Sequence, residues 1–212
     1  MNAIIVFGAT GGTGYEVVKQ ALEKGYLVTV VVRDISAFNL VHKNLTITMG
    51  DVLVAATFEE KLLGTRAVIS CLGSGRSTKP TKIYSEGIKN IVEAMVKAGT
   101  PRLICVSAGG LETNKEMGVF TRLLVKLVLQ PILKGPYTDM RLMEKFVTAS
   151  PVEWTVVRPA RLTNKTATGK YRTAVNTPLR KPFSIARADL ANFMLTIIDA
   201  PETFGSIVNI AY

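Results

Sequence analysis

The sequence predicts an α/β fold, a doubly wound parallel sheet with helices on both faces. Three observations predict it. Short β-branched runs alternate with segments of helical periodicity along all 212 residues, the first such run leads through a cluster of glycines into a helical pattern, and no repeat, low-complexity tract or linker divides the chain. A length of 212 residues falls within the range of one domain and can bury a core without disulfides or metals.

The expected strands run from Ala3 to Phe7, Leu27 to Val32, Leu45 to Met49, Ala67 to Cys71, Leu103 to Ser107, Trp154 to Val157 and Ile207 to Ile210. Between them, helices are expected over Gly12 to Lys24, Thr57 to Leu63, Thr81 to Lys97, Met117 to Leu133, Tyr137 to Ala149 and Arg187 to Asp199. Gly25 and Gly99 supply cheap left-handed caps, and Pro101 and Pro151 stop helices before the next strand. Two less regular stretches, near 109–136 and 159–182, follow strands on the carboxyl side, where they would overhang a ligand crevice as substrate walls.

Composition narrows the chemistry. The single histidine, His42, excludes a histidine cluster, and the two cysteines, Cys71 and Cys105, offer no metal-ligand spacing and fit buried thiols in a reducing compartment. The expected site therefore contains no metal. A net charge of +10 is spread from Lys19 to Arg187 without a basic run or interleaved aromatics, so it suits polyanionic small molecules better than nucleic acid. The most apolar stretch, Leu123 to Leu133, is interrupted by Lys126, Gln130 and Pro131 and is too short to cross a bilayer. No secretory pattern precedes the first strand, so cytoplasmic residence is expected, as a monomer or homodimer. The basic apolar stripe from Phe120 to Leu129 admits membrane-surface contact, but a core helix or hydrophobic substrate lid is the expected reading.

The glycine cluster carries the most information. Gly8, Gly11 and Gly14 stand at a G-x-x-G-x-x-G spacing between a strand and a helix. In a Rossmann-type domain the first glycine permits the tight turn, the second lets the backbone approach a pyrophosphate, and the third lets helix pack on strand. Gly12 continues the backbone approach, and the hydroxyls of Thr10 and Thr13 add donors. A purely conformational turn is the alternative, set against the strand and helix that flank it. About 20 residues beyond the turn, the second strand ends in Arg33, whose guanidinium can pair with the 2'-phosphate of NADP. Asp34 follows at once, and a one-residue shift would favour NAD; NADP is the expected cofactor.

The segments Gly8 to Gly14, Val30 to Asp34, Gly50 to Leu53, Cys71 to Gly73, Tyr84 to Gly87, Asn90 to Val92, Cys105 to Ala108, Trp154 to Pro159 and Ser184 to Leu190 cover nearly the whole chain. Together they resemble the atypical short-chain dehydrogenases of the NAD(P)H-binding, biliverdin-IXβ/flavin-reductase-like kind, with NmrA-like relatives. The resemblance implies that Asp51 and Val52 flank the adenine, that Leu72, Gly73 and Ser74 line the middle of the cofactor, and that Arg158 and Pro159 lie near the nicotinamide. The stretch Thr113 to Gly135 departs from that pattern in being longer and more apolar.

Hydride chemistry belongs to the cofactor, so the protein must position a substrate and manage one proton. Ser107 ends the fifth strand, where the superfamily places a substrate-orienting serine. Short-chain dehydrogenases also use a tyrosine four residues before a lysine, whose charge lowers the phenol pKa; here the spacing is Tyr137 to Arg141. Ser107, Tyr137 and Arg141 are the candidate catalytic residues, with proton delivery from solvent as the alternative to Tyr137. The expected function is an NADPH-dependent reductase of a small planar or carbonyl-bearing substrate such as a flavin, quinone or tetrapyrrole. Two alternatives stay open: a non-catalytic NAD(P)-sensing regulatory or assembly protein, and an epimerase or dehydratase that retains NAD.

Overall fold

In the computed structural model, which describes residues 2–75 and 77–212, the strands are β1 (Ala3–Phe7), β2 (Leu27–Val32), β3 (Leu45–Met49), β4 (Ala67–Ser70), β5 (Arg102–Val106), β6 (Glu153–Pro159), β7 (Arg161–Thr163), β8 (Arg172–Val175), β9 (Ser184–Ala186) and β10 (Ser206–Ala211). The helices are α1 (Gly12–Glu23), α2 (Ser85–Ala98), α3 (Val119–Leu124), α4 (Gln130–Ile132), α5 (Lys134–Thr148) and α6 (Arg187–Thr196). Eight strands form one sheet in the order β3-β2-β1-β4-β5-β6-β10-β8, while β7 and β9 pair separately. Every pairing in the large sheet is parallel except that of β8 with β10. The Rossmann-type α/β fold expected from the sequence is therefore present.

Alternation along the strands divides the core into two layers. Ile4, Val6, Val28, Val30 and Ile69 face α1 and α6, which meet them with Val17, Val18, Leu190 and Met194. Ile5, Phe7, Val31, Val68 and Leu103 face the other way, onto Ile88, Ile91 and Met95 of α2 and Met143 and Val147 of α5. A strand with both faces covered is apolar throughout, which is why β1 and β2 carry no polar alternation.

Register brings the carboxyl ends of the strands level: Phe7 lies opposite Val31 and Ser70, Ser70 opposite Cys105, and Val106 opposite Val157. The strand order reverses between β1 and β4, so the glycine turn after β1 opens onto the crevice at that switch point.

Several elements differ from the sequence expectation. The helix expected over Thr57 to Leu63 is two 3-10 turns, Ala55–Thr57 and Glu59–Leu62. Thr57 Oγ1 donates to the Val54 carbonyl at 2.7 Å and accepts from the Asp51 amide at 2.9 Å, local bonding that competes with a helix. The helix expected from Thr81 starts at Ser85, where the buried carboxylate of Asp139 on α5 accepts from the Tyr84 amide at 2.9 Å and from Ser85. An N-terminal cap supplied from a distant helix leaves no mark in the local sequence.

The segment Met117 to Leu133 is neither one regular helix nor core. It breaks into α3, a π-helical turn over Val125–Leu129 and α4, and Val125 is the one buried side chain from Val119 to Ile132. Strands β7, β8 and β9 were not expected; β8 forms an edge and is polar, with Arg172 tied to the Arg180 and Tyr212 carbonyls at 2.9 and 2.6 Å.

Asp189 anchors the loop between β7 and β8 to α6. Its carboxylate accepts from the Thr168 and Gly169 amides at 2.9 and 2.8 Å, from Thr168 Oγ1 at 3.1 Å and from the Tyr212 hydroxyl at 2.5 Å. Burial alone would raise its pKa, but these hydrogen bonds more than offset burial and hold the carboxyl below its ordinary value. A depressed carboxyl pKa stabilises the fold fully above the unfolded value of about 4, and the contribution is lost as pH falls from there through the folded pKa. Asp189→Asn is therefore expected to lower stability at pH 7 and to flatten the acid limb of the pH-stability curve below about pH 4, as measured by urea denaturation.

Candidate functional site

The turn after β1 is built on close backbone contact. Gly8 has φ +76°, a left-handed conformation that favours glycine, and a Cβ there would overlap the Cys71 carbonyl at the end of β4. A Cβ at Gly14 would overlap the Gly8 carbonyl, so α1 is seated directly on the turn. At Gly11 a Cβ would stand 3.3 Å from the Gly8 carbonyl, whose oxygen already accepts the Gly11 amide at 3.1 Å. Thr10, Gly11 and Gly12 are exposed and Thr13 is buried beneath them.

Helix α1 begins in this turn with no side-chain cap among the described residues and no acidic residue in its first turn. Its leading amides thus face the crevice at the positive end of the helix dipole. The contrast with α2, whose N-terminus is filled by Asp139, is direct.

Arg187, at the start of α6, reaches over the same turn, its side chain so close that a Cβ on Gly12 would meet its Cδ at 2.8 Å. Its Nη1 donates to Asn164 Oδ1 at 2.6 Å, and no carboxylate lies within ion-pair distance among the described residues. A guanidinium at the positive end of a helix is electrostatically uncomfortable without an anion between them. Sequence reasoning missed Arg187; the signal available was a basic residue opening a helix straight after a short apolar strand.

At the tip of β2 the two candidate residues separate. Arg33 is exposed and forms no ion pair among the described residues. Asp34 turns back on its own chain, accepting from the Ser36 amide at 2.9 Å and the Ser36 hydroxyl at 2.7 Å, bonds that hold its pKa below the ordinary carboxylate range. Asp51 likewise caps a local turn by accepting the Leu53 amide at 2.9 Å, while the Val52 carbonyl receives Asn90 Nδ2 at 2.8 Å. Beyond β4, Leu72 is partly buried, Gly73 is exposed, and the Ser74 amide donates to the Tyr84 hydroxyl at 3.0 Å.

Ser107, just past β5, and Arg158, near the carboxyl end of β6, meet through a residue that sequence reasoning did not select. Ser107 Oγ donates to Glu144 Oε1 at 2.6 Å, and Arg158 donates to the same carboxylate through Nε at 2.9 Å and Nη2 at 2.5 Å. Arg158 also reaches Glu112 at 3.1 Å. Burial would lower the Arg158 pKa, but Glu144 and Glu112 more than reverse this and hold it above its ordinary value. Pro159 is buried beside this group, its carbonyl against Gly109. Glu144 was legible only as the residue seven positions after Tyr137, on the same face of α5.

The tyrosine and arginine expected as a catalytic pair are on that face but are otherwise engaged. Tyr137 is buried with its hydroxyl against Gly110, and Arg141 Nη2 donates to the Leu111 carbonyl at 2.7 Å. Burial pushes the phenol pKa up, and Arg141 offsets only part of that. The expected lowering is reversed because desolvation outweighs one nearby cation.

The cysteines and histidine add no reactive centre to the crevice. Cys105 is buried and Cys71 half-buried, and burial pushes the Cys71 thiol up to about 12 and raises that of Cys105. His42 is an exposed loop residue whose Nδ1 accepts the Asn44 amide at 3.1 Å. Among the described residues no three His, Cys, Asp or Glu side chains gather as metal ligands.

Comparison with known proteins bears on this arrangement. Residues 8–201 match the family described as NAD(P)H-binding. An uncharacterized chloroplastic protein of Arabidopsis thaliana is 31% identical over 175 residues, covering 78% of this chain and 61% of that protein. A photosystem II assembly factor of Guillardia theta is 32% identical over 108 residues, 50% of this chain and 34% of the factor. The chain thus spans between about a third and three fifths of the length of these relatives. Among solved structures, a short-chain dehydrogenase/reductase of Veillonella parvula in complex with NADP superimposes with a TM-score of 0.80 at 15% identity, over 99% of this chain and 94% of that one. At that identity the likeness is one of fold.

Glu144 is the shared acceptor of Ser107 and Arg158, so its removal leaves a buried cation half-paired. Glu144→Ala is expected to cost about 3–5 kcal/mol in urea denaturation, with much of the loss recovered in the double variant Glu144→Leu/Arg158→Met.

Proposed function

The chain belongs to the NAD(P)H-binding family, and from that premise we propose that it is an NADPH-dependent oxidoreductase acting on a small planar or carbonyl-bearing compound. The observation that carries the reading is the glycine turn at the switch point, uncapped by any side chain among the described residues, with Arg33, which forms no ion pair among those residues, on one side and Arg187 on the other. When bound, the nicotinamide supplies the hydride. The protein's share is to bind, orient and exclude water.

The amides of Gly12 and Thr13 receive the diphosphate, Gly11, whose own amide is held by the Gly8 carbonyl, lets the backbone approach it, Gly8 and Gly14 hold the turn open by close packing, and Thr10 adds a hydroxyl at its rim. Arg33 pairs with the adenosine 2'-phosphate, a role that Asp34 does not contest because its carboxylate is committed to Ser36. Asp51 and Val52 shape the adenine end, and Leu72, Gly73 and Ser74 border the middle of the crevice. Arg187 closes on the diphosphate from above Gly12.

Ser107 has a defined direction. Its proton is given to Glu144, so its oxygen is left to accept, which suits the amino group of a carboxamide better than a substrate carbonyl. Arg158 and Pro159 fix that end of the crevice. Ser107 is thus an orienting residue, and Tyr137, buried with a raised pKa, packs against Gly110 beside Arg141. Protons then come from solvent. The segments near 109–136 and 159–182 wall the substrate side.

A second reading, a cofactor-sensing assembly protein, draws support from the same commitment of Ser107 to Glu144 and from the burial of Tyr137. Turnover of NADPH with a panel of flavins, quinones and aldehydes separates the two: oxidation above the protein-free rate supports the enzyme, and none with any acceptor supports the sensor.

Cofactor choice is tested by melting. NADPH at about 100 times its Kd is expected to raise the Tm by about 5–10 °C, with NADH giving a smaller rise at equal concentration. Arg33→Ala should weaken NADPH roughly tenfold to a hundredfold and leave NADH unchanged; equal weakening of both would remove Arg33 from the 2'-phosphate. Arg187→Ala should weaken both nucleotides alike, since the diphosphate is common to them.

A further inference from the structure

The segment from Val119 to Ile132 is apolar on nearly every side and yet lies open. Val119 is 67% exposed, Phe120 80%, Leu127 66% and Ile132 57%, and Leu123, Leu124, Val128 and Leu129 are also exposed. A helix apolar all round is a buried element in a folded protein, and a contiguous exposed surface of this kind marks a binding face. Phe183, 70% exposed, extends the surface from the neighbouring loop, where Met117, Phe120, Pro182 and Phe183 line one groove. The loop is tied in place by the Lys181 amide, which donates to the Glu116 carbonyl at 2.8 Å.

Charge selects what covers it. No Asp or Glu occurs from Met117 to Thr138, whereas Arg122 and Lys126 lie within the segment, Lys134 follows it, and Lys181, preceded in the chain by Arg180, lines the same groove as Phe120. A second copy docking face to face would set these cations against one another with only Glu116, at the edge beside Met117, to match them. Length excludes a spanning role: fourteen residues rise about 21 Å, less than the hydrocarbon core of a bilayer of about 30 Å, and no helix among the described residues is long and apolar enough to cross a membrane. An apolar helix with a basic fringe fits instead the interface of an anionic bilayer, lying in its plane.

We propose that the exposed apolar segment Val119–Ile132, with Phe183 and the basic fringe of Arg122, Lys126, Arg180 and Lys181, docks the protein onto an anionic lipid surface. The segment is joined to the candidate site through Gln130, whose Nε2 donates to the Gly110 and Leu111 carbonyls at 3.1 Å each. Docking would therefore set the wall of the crevice against the bilayer. The proposal stands apart from the cofactor assignment, since it uses none of the residues of the glycine turn.

The test is co-sedimentation of the whole chain with vesicles of phosphatidylcholine containing a quarter phosphatidylglycerol, and with vesicles of phosphatidylcholine alone. The wild type should pellet with the anionic vesicles and lose most of that binding in high salt. Arg122→Gln/Lys126→Gln should lower partitioning about 30-fold, and Phe120→Ser/Leu127→Ser should abolish it while leaving NADPH-induced stabilisation as in the wild type. Phe120, Lys126 and Leu127 are exposed and Arg122 is partly so, and the salt dependence of the wild type needs no variant. Failure of the wild type to pellet with anionic vesicles at low salt would overturn the proposal, as would a lipid-free dimer that Phe120→Ser/Leu127→Ser converts to monomer.

Discussion

The contact on which the rest of the structure depends is the passage of the backbone through Gly8, between the end of β1 and the Cys71 carbonyl after β4. It admits no side chain, and Gly14 then seats α1 on the Gly8 carbonyl. Because β1 is central, with β2 and β4 on either side, the turn cannot be displaced without disturbing two parallel pairings. The helix N-terminus is consequently fixed at the one place in the sheet where the strand order reverses and a crevice opens.

Polar groups elsewhere in the molecule hold the walls of that crevice. Asp139 staples α5 to the start of α2, and Glu144, one turn further along the same helix, gathers Ser107 and Arg158 from two strands. Asp189 performs the equivalent task on the opposite layer, tying the loop that carries Asn164 toward α6 and so placing Arg187 above Gly12. Three buried carboxylates thus fix the elements that surround the turn, while α1 keeps its own N-terminus free of one. The high net positive charge of +10 acts in the same direction, favouring an anionic ligand over the whole surface.

Much of this was legible in the sequence because it is local or periodic. The seven strands read from β-branched runs are all present, and β1, β2 and β3 agree with their expected bounds to the residue. The glycine turn was legible because backbone constraints leave no alternative to glycine. What escaped depends on partners distant in sequence. Nothing local sets Glu144, Asp139 and Asp189 apart from other charges on helices, and only tertiary packing reveals them as buried acceptors. Arg187 escaped for the same reason. Tyr137 was found at the right spacing, but spacing alone could not reveal that burial would oppose the neighbouring cation. The apolar stretch after Met117 was expected to be core or lid because hydrophobicity ordinarily signals burial, and its exposure is a tertiary fact.

The central claim is that backbone amides at the head of α1 receive the cofactor's diphosphate, and the most direct measurement is a titration of isotopically labelled protein with NADPH followed by amide nuclear magnetic resonance. The account predicts that the resonances of Gly12 and Thr13 move furthest and saturate together with those at the tip of β2. Saturable binding that left these two amides unmoved would contradict it.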